Sequence, residues 1–316
     1  MRVVSLLASA TEIVCALDAG NSLVGRSHEC DNPEWVRSLP PCSEPAFDVS
    51  VSSREIDAEV NRRIQSHEPL YRINTDLIRR LAPDLVIAQA HCEVCAVTPS
   101  DVERSGCETP AANVLALTAG SLEGIFESIL QIAHALGRET EGREVVRRER
   151  ERLEAVRAKT AGRRRHSVVM LEWADPIFAM GNWGPELVEI ANGELLLGSK
   201  GQHSFAIPGE RVAAADPEYL IVAPCGFSFE RAVGEQAVLE AYPWWKTLRA
   251  VQGGKVALAD GNLFFNRSGM TISQTAEILA EILHGVTFRA PSENVYWRWY
   301  GTATQSHPAA EAGGSL

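Results

Sequence analysis

The chain has 316 residues, of which 45% are hydrophobic, and a formal net charge of −11 at pH 7. At roughly 150 residues per domain, this length predicts two domains, each with enough apolar side chains for a buried core. The acidic balance gives no long-range attraction to phosphate backbones, and no apolar stretch approaches the ~20 residues that span a bilayer. Neither a nucleic-acid partner nor a membrane span is therefore expected.

The N-terminal residues have the pattern of a β-α-β unit. A strand is predicted over residues 2–7, a helix over 11–18 and a second strand over 22–27, which together require a parallel sheet with a right-handed crossover. The same segment superficially resembles an export signal, but its apolar stretch is short and its helical pattern begins at Thr11. The expected location is the cytoplasm, or the periplasm if translation starts further upstream.

The rest of the first half predicts two more strands. After a proline-rich loop, a helix over 75–81 ends at Pro83 and leads into the apolar run 85–87, the pattern of a strand buried on both faces. A weaker strand follows over 113–117. These elements complete a first α/β lobe, residues 1–120.

A long helical pattern occupies residues 121–162. An apolar stripe in its first half gives way to alternating charges in its second half. A continuous helix of about 40 residues would be ~60 Å long, which is longer than one lobe, and Gly137 and Gly142 are its potential breaks. We expect this helix to join two lobes.

The second half repeats the order of elements found in the first. Strands are predicted over 167–171, 219–223 and 256–259, and helices over 185–191, 211–215 and 271–284. The second lobe covers residues 163–288, and residues 289–316 hold an aromatic segment and a tail expected to be disordered. The predicted fold class is α/β, with two Rossmann-like lobes with parallel sheets joined by a long backbone helix.

Four of the seven cysteines follow predicted strands. They are Cys30, Cys92, Cys95 and Cys225. Because ligands in open α/β sheets bind beyond the carboxyl ends of the strands, these thiols are expected to share one pocket with the imidazole of His28. The two-residue spacing of Cys92 and Cys95 suits Zn²⁺, Fe or another soft transition metal, or the cobalt of a corrinoid. A redox-active thiol pair and inert buried cysteines are the alternatives.

Other polar and aromatic residues are predicted to line the same cleft. They are Glu29, Asp31, Glu172, Trp173, Trp183, Ser204 and Arg267. Indole rings at a cleft mouth cover the face of a macrocycle, and an arginine either binds a carboxylate or amide of the ligand or forms an ion pair between lobes. The sequence has no nucleophile elbow, phosphate-binding glycine loop, H-E-x-x-H motif or dinucleotide fingerprint, so it favours a binding protein over an enzyme.

Several segments resemble the helical-backbone (class III) periplasmic-binding-protein-like family, whose members capture cobalamin, ferric siderophores, heme or transition metals for ABC importers. They are residues 5–25, Leu81-Ala82-Pro83-Asp84-Leu85-Val86-Ile87, the long helix, Ala215-Asp216-Pro217-Glu218 and Asn266-Arg267-Ser268-Gly269. Within that family, the cobalamin-binding-like branch of the ABC-transporter substrate-binding proteins is resembled by His28-Glu29-Cys30-Asp31, Cys92-Glu93-Val94-Cys95-Ala96-Val97 and Pro224-Cys225-Gly226-Phe227.

The resemblance implies a corrinoid, a metal or a metal complex held between two lobes that a rigid helix connects, with an ABC permease as partner. The alternative is a cytoplasmic metal-binding or thiol-dependent protein, either a metallochaperone or an enzyme, that reuses the receptor fold, because a fold does not determine a function.

Overall fold

The structure is a computed structural model with two α/β lobes on either side of a cleft. It describes residues 1–90, 96–98, 100–101 and 113–301. Cys92 and Cys95 lie outside the described residues. The predicted α/β fold class is confirmed.

The first lobe is built on a four-stranded parallel sheet in the order β2-β1-β5-β6. Its elements are β1 (Val3–Ser5), α1 (Ala8–Ala16), β2 (Leu23–Arg26), β3 (Ser43–Pro45), α2 (Ser53–Gln65), β4 (Tyr71–Ile73), α3 (Thr75–Leu81), β5 (Leu85–Gln89) and β6 (Asn113–Leu117). β3 and β4 form a separate antiparallel pair. All five residues of β5 are buried, as the continuous apolar run predicted.

The segment between the lobes is a pair of packed helices, α4 (Leu122–Leu136) and α5 (Glu139–Thr160). Gly137 ends α4 in the left-handed conformation with φ of 66°. A Cβ at Gly142 would lie 2.5 Å from Ala133 Cβ, so the close approach of the two helices requires a glycine there. The chain therefore turns back, and α5, whose 22 residues span about 33 Å, runs along the second lobe.

The second lobe has a sheet in the order β10-β8-β7-β11-β12-β13, with β9 also paired to β7. Its strands are β7 (His166–Ala174), β8 (Ile177–Ala179), β9 (Gly193–Leu195), β10 (Phe205–Ala206), β11 (Tyr219–Val222), β12 (Val256–Ala259) and β13 (Trp297–Trp299). Its helices are α6 (Gly184–Ile190), α7 (Gly209–Ala215), α8 (Phe229–Gly234), α9 (Gln236–Glu240), α10 (Arg249–Gln252) and α11 (Ile272–His284). β7, β9, β11 and β12 are parallel, whereas β8 pairs antiparallel with β7, β10 with β8 and β13 with β12.

One hydrophobic core continues from the first lobe through the helix pair into the second. Ile13 of α1, Ile129 of α4, Val156 of α5 and Leu279 of α11 all belong to it and are fully buried. The aromatic segment near residue 297 completes the second sheet, because β13 pairs antiparallel with β12. Within the described ranges, no helix combines the length and apolar character needed to cross a membrane.

Candidate functional site

A cleft of about 610 Å³ lies between the lobes, within the volume range of small-molecule sites. Residues that end or follow strands of both sheets line it, and they include Leu7 after β1, His28 after β2, Gln89 in β5, Trp173 in β7, Cys225 after β11 and Gly261 after β12. The carboxyl ends of the strands therefore face one space, as expected for ligand sites in open α/β sheets.

His28 places a neutral imidazole in the wall of the cleft. Its Nδ1 lies 3.1 Å from Ser43 Oγ, and its ring centroid lies 5.4 Å from that of Tyr71. Burial, together with the nearby positive charge of Arg26, lowers the pKa of His28 to about 4. When Nδ1–H donates to Ser43, Nε2 keeps the lone pair that a metal centre accepts.

Glu29 stands next to this imidazole, with Oε1 3.8 Å from His28 Nε2. The surrounding cleft walls raise the pKa of Glu29 to about 7 by desolvation, although 41% of its side chain remains accessible from the cleft. The positive charge of Arg267 opposes that increase in pKa, and Asp31 adds to it. Glu29 is therefore partly protonated near neutral pH and acts there as either a donor or an acceptor.

Two of the predicted residues, Asp31 and Arg267, bind each other across the lobes. Arg267 Nη1 donates to Asp31 Oδ1 and to Glu12 Oε1, both at 2.8 Å, and Nη2 donates to Asn262 Oδ1 at 3.0 Å. Asn262 Nδ2 in turn donates to Asp31 Oδ2 at 2.9 Å. Since Glu12 and Asp31 belong to the first lobe, this cluster is an interlobe clamp, and its guanidinium is committed to protein acceptors.

The second lobe brings four predicted residues to the cleft wall. They are Glu172, Trp173, Trp183 and Ser204. Ser204 Oγ donates to Glu172 Oε2 and accepts from Gly181 N at 2.9 Å, which ties the loop after β8 to the end of β7. Trp173 Nε1 reaches the first lobe, where it donates to Ser53 O at 3.1 Å.

The described cysteines do not face one common space. Cys225 lines the cleft, but Cys30 is 1% exposed and is not among the described residues that line it. Thr11 Oγ1 donates to Cys30 Sγ at 3.0 Å, and burial raises the pKa of that thiol. Within the described part of the chain, no group of three or more His, Cys, Asp or Glu residues is placed to hold a metal ion.

Helix α2 forms a further wall of the cleft. This helix was not predicted, since no helix or strand was expected between residues 46 and 74. Its residues in the cleft are Ile56, Asp57, Val60, Asn61 and Ile64. The sequence does carry a signal for it: Ser52-x-x-Glu55 forms a capping box, and apolar residues then recur every four positions. Ser52 Oγ accepts from Glu55 N at 3.3 Å, and Glu55 Oε2 accepts from Ser52 N at 3.1 Å.

Residues 3–263 match the family described as periplasmic binding protein. The chain belongs to this family. No curated protein matches this periplasmic binding protein. The match covers both lobes and ends shortly after β12, so it includes the strand ends that form the cleft.

Three solved structures illustrate the fold of this periplasmic binding protein. A periplasmic heme binding protein from Pseudomonas aeruginosa is 19% identical, with a TM-score of 0.70 over 96% of this chain and 99% of that chain. The periplasmic vitamin B12 binding protein BtuF of Vibrio cholerae is 20% identical, with a TM-score of 0.63 over 89% and 96%. An ABC transporter substrate-binding protein from Listeria monocytogenes is 18% identical, with a TM-score of 0.67 over 90% and 99%.

The family corrects the expected location. A cytoplasmic protein was expected from the first residues, and that expectation is wrong, because the chain belongs to a family of periplasmic binding proteins. The residues on which the cytoplasmic expectation depended form β1 and α1 of the first lobe. Their pattern therefore indicates the fold and does not indicate the compartment. The chain has the fold of ABC transporter substrate-binding proteins.

Proposed function

We propose that this periplasmic binding protein holds a corrinoid or another metal complex in the interlobe cleft and presents it to an ABC permease. The observation that carries the proposal is His28, a neutral imidazole with one nitrogen engaged by Ser43, in a cleft whose other walls are largely aromatic and aliphatic. Such a site supplies one axial ligand to a metal that already sits in an organic ring.

The walls of the cleft suit a flat ligand. Eight phenylalanine, tyrosine and tryptophan side chains of the described residues line them: Phe47, Tyr71, Trp173, Phe178, Trp183, Phe205, Phe227 and Phe265. Trp173 and Phe227 pack edge to face with centroids 5.0 Å apart, which leaves a rigid aromatic corner. Aromatic faces contribute large contact areas at low conformational cost, so a macrocycle is favoured over a flexible chain.

The metal chemistry of the site favours a complex over a bare ion. A bare Zn²⁺ needs about four protein or water ligands, and the described residues place no group of three suitable side chains together. A corrinoid supplies its own equatorial nitrogens, so a single imidazole from His28 is enough. The site therefore suits a metal complex better than a bare metal ion.

The charges of the cleft favour an uncharged ligand that carries amides. Glu29, Asp57 and Glu172 line it as acids. The two described arginines that line it are engaged by the protein: Arg267 in the interlobe clamp, and Arg231 through Nη2 to Val49 O at 2.7 Å and Val51 O at 2.9 Å. Ring carboxylates would meet like charges here, whereas amides find acceptors.

Titration with aquocobalamin tests the proposal, because imidazole replaces its cobalt-bound water and shifts the visible absorbance. We expect the wild-type protein to bind one equivalent with that shift, and His28→Ala to lose the shift and to bind about tenfold or more weakly. His67→Ala, an exposed histidine outside the cleft, is the matched control and should bind as the wild type does. Parallel titrations with hemin and ZnCl₂ identify other cargo, and tighter binding of either one than of aquocobalamin overturns the corrinoid assignment.

A further inference from the structure

Helix α2 carries an apolar stripe that belongs to no hydrophobic core formed by the described residues. Ile56, Val60 and Ile64 recur at every fourth residue and so lie along one face of the helix. Ile64 is 47% exposed, and Ser53 is the buried residue of α2. In the described chain none of the three belongs to a core cluster. Amphipathic helices of globular proteins ordinarily bury such a stripe.

The stripe faces the cleft. All three of its residues line that space, and the preceding loop adds Phe47 and Val49, of which Val49 is 39% exposed. The side of α2 away from the cleft is charged: Glu59 Oε1 accepts from Arg62 Nη2 at 2.8 Å and from Arg63 Nε at 2.7 Å. The helix therefore carries its ion pairs on the side away from the cleft and presents its apolar stripe, flanked by Asp57 and Asn61, to the cleft.

The N-terminal end of α2 is anchored to the second lobe by polar contacts. Ser53 Oγ donates to Glu235 Oε2 at 2.6 Å, and Arg54 Nε donates to Asp175 Oδ2 at 2.6 Å. Trp173 Nε1 adds a hydrogen bond to Ser53 O. These contacts fix the start of the helix against the opposite lobe without burying its apolar stripe.

The C-terminal end of α2 is anchored to the first lobe. Arg63 Nη1 donates to Pro69 O at 3.0 Å, and its Nη2 donates to Ala46 O at 3.3 Å. Since the two ends are held on opposite lobes, the helix bridges the cleft. Its position is set by its ends, which leaves the stripe available to a ligand.

We propose that Ile56, Val60 and Ile64 are the specificity-determining residues that bind an apolar face of the ligand in the cleft. This inference rests on the proposed function only in requiring a ligand between the lobes. The occupant is a small molecule, because the stripe faces inward onto a space of about 610 Å³, which is too small for a protein domain. Binding removes the stripe from water and so supplies the burial that the fold does not provide.

The test compares two triple variants of α2. Ile56→Ser/Val60→Ser/Ile64→Ser removes the stripe, and Ala58→Ser/Arg62→Ser/Gln65→Ser places the same number of serines on exposed positions of the same helix. Two probes are titrated: Nile red, an uncharged apolar dye that reports on the stripe itself, and aquocobalamin. Urea unfolding of the ligand-free proteins is measured beside them.

We expect the stripe variant to unfold at the same urea concentration as the matched control variant, and to bind both probes about tenfold or more weakly than that control. Unchanged binding of both probes overturns the inference. So does a fall in unfolding midpoint as large as that of Ile125→Ser, a fully buried core position, because the stripe would then be structural. The single variant Ile64→Ser, at the most exposed of the three positions, repeats the comparison if the triple variant does not fold.

The outcomes separate this inference from the proposed function. If the wild-type protein binds Nile red but not aquocobalamin, and the stripe variant binds neither, the corrinoid assignment fails and the role of the stripe stands. If the wild-type protein binds neither probe, the role of the stripe is refuted as well.

Discussion

Arg267 of the second lobe donates to Glu12 of the first at 2.8 Å, and both side chains are almost completely buried, at 5% and 2% exposed. The pair comes from positions 255 residues apart. Asp31 and Asn262 complete its surroundings, so the clamp both joins the lobes and limits what the guanidinium can offer a ligand.

Removing one partner of the interlobe clamp should be strongly destabilising. We expect Arg267→Ala to lower the free energy of unfolding by about 3–5 kcal/mol, because Glu12 would be left buried without its counter-charge. Urea denaturation of the purified protein measures the loss. The double variant Arg267→Met/Glu12→Leu, which removes both charges, should recover much of it, and a double variant as unstable as Arg267→Ala would contradict the electrostatic explanation.

The angle between the lobes should change little when a ligand binds. The hydrophobic core is continuous through α4 and α5, and the interlobe clamp ties the lobes together beside the cleft. We therefore expect small-angle scattering to give the same radius of gyration with and without bound aquocobalamin. A marked contraction on binding would show that the lobes hinge.

Glu29 should make stability fall as the pH rises. Its pKa is raised from 4.5 to about 7 in the folded protein, so between these values the folded state binds more protons than the unfolded state. Stability from this group is present below about pH 4.5 and is lost as the pH rises through 7. The difference in unfolding free energy between Glu29→Gln and the wild type should therefore increase from pH 4.5 to pH 7 in favour of the variant.

His28 contributes to the pH dependence of stability with the opposite sign. Its pKa is lowered from 6.5 to about 4, so its contribution is lost as the pH falls through that range. Because His28 is present in both proteins, subtracting the wild-type curve isolates Glu29. A difference that does not vary with pH would show that Glu29 has an ordinary pKa.

Cys225 and Cys30 should differ in reactivity. Cys225 lines the cleft and is partly exposed, whereas Cys30 is buried beside Thr11 and Ser27 with a raised pKa. We expect a maleimide to modify Cys225 in the folded protein and to spare Cys30, as measured by peptide mass spectrometry. Bound ligand should slow the reaction at Cys225, and equal labelling of the two cysteines would contradict the structure.

The fold was predictable because its signals are local. The apolar run of β5, the helix and turn before it, and the same arrangement before β11 each follow from a few neighbouring residues. The strand-end rule also located His28, Trp173 and Cys225 in the cleft wall. Cys30 also follows a strand, β2, but it is buried in the core. A position just after a strand therefore does not by itself place a side chain in the cleft.

Most of what was not predicted depends on contacts between residues that are far apart in the sequence. Whether Arg267 would bind a ligand or pair between lobes depends on Glu12 and Asp31, which only the folded chain brings to it. The helical segment predicted over 121–162 turns back at Gly137, one of its two potential breaks, where the packing of α4 against α5 provides more burial than a straight helix would. Helix α2 was not predicted, although its capping box and its four-residue apolar spacing are both local signals.

Strand β13 covers one edge of β12. Through Trp297 and Trp299 it occupies the hydrogen-bonding groups on one side of β12, whose residues are all buried. Loss of this strand by proteolysis would leave that row of amides and carbonyls without partners, an edge on which another chain can add its own strand. Cleavage between α11 and β13 with loss of β13 should therefore promote self-association of the protein.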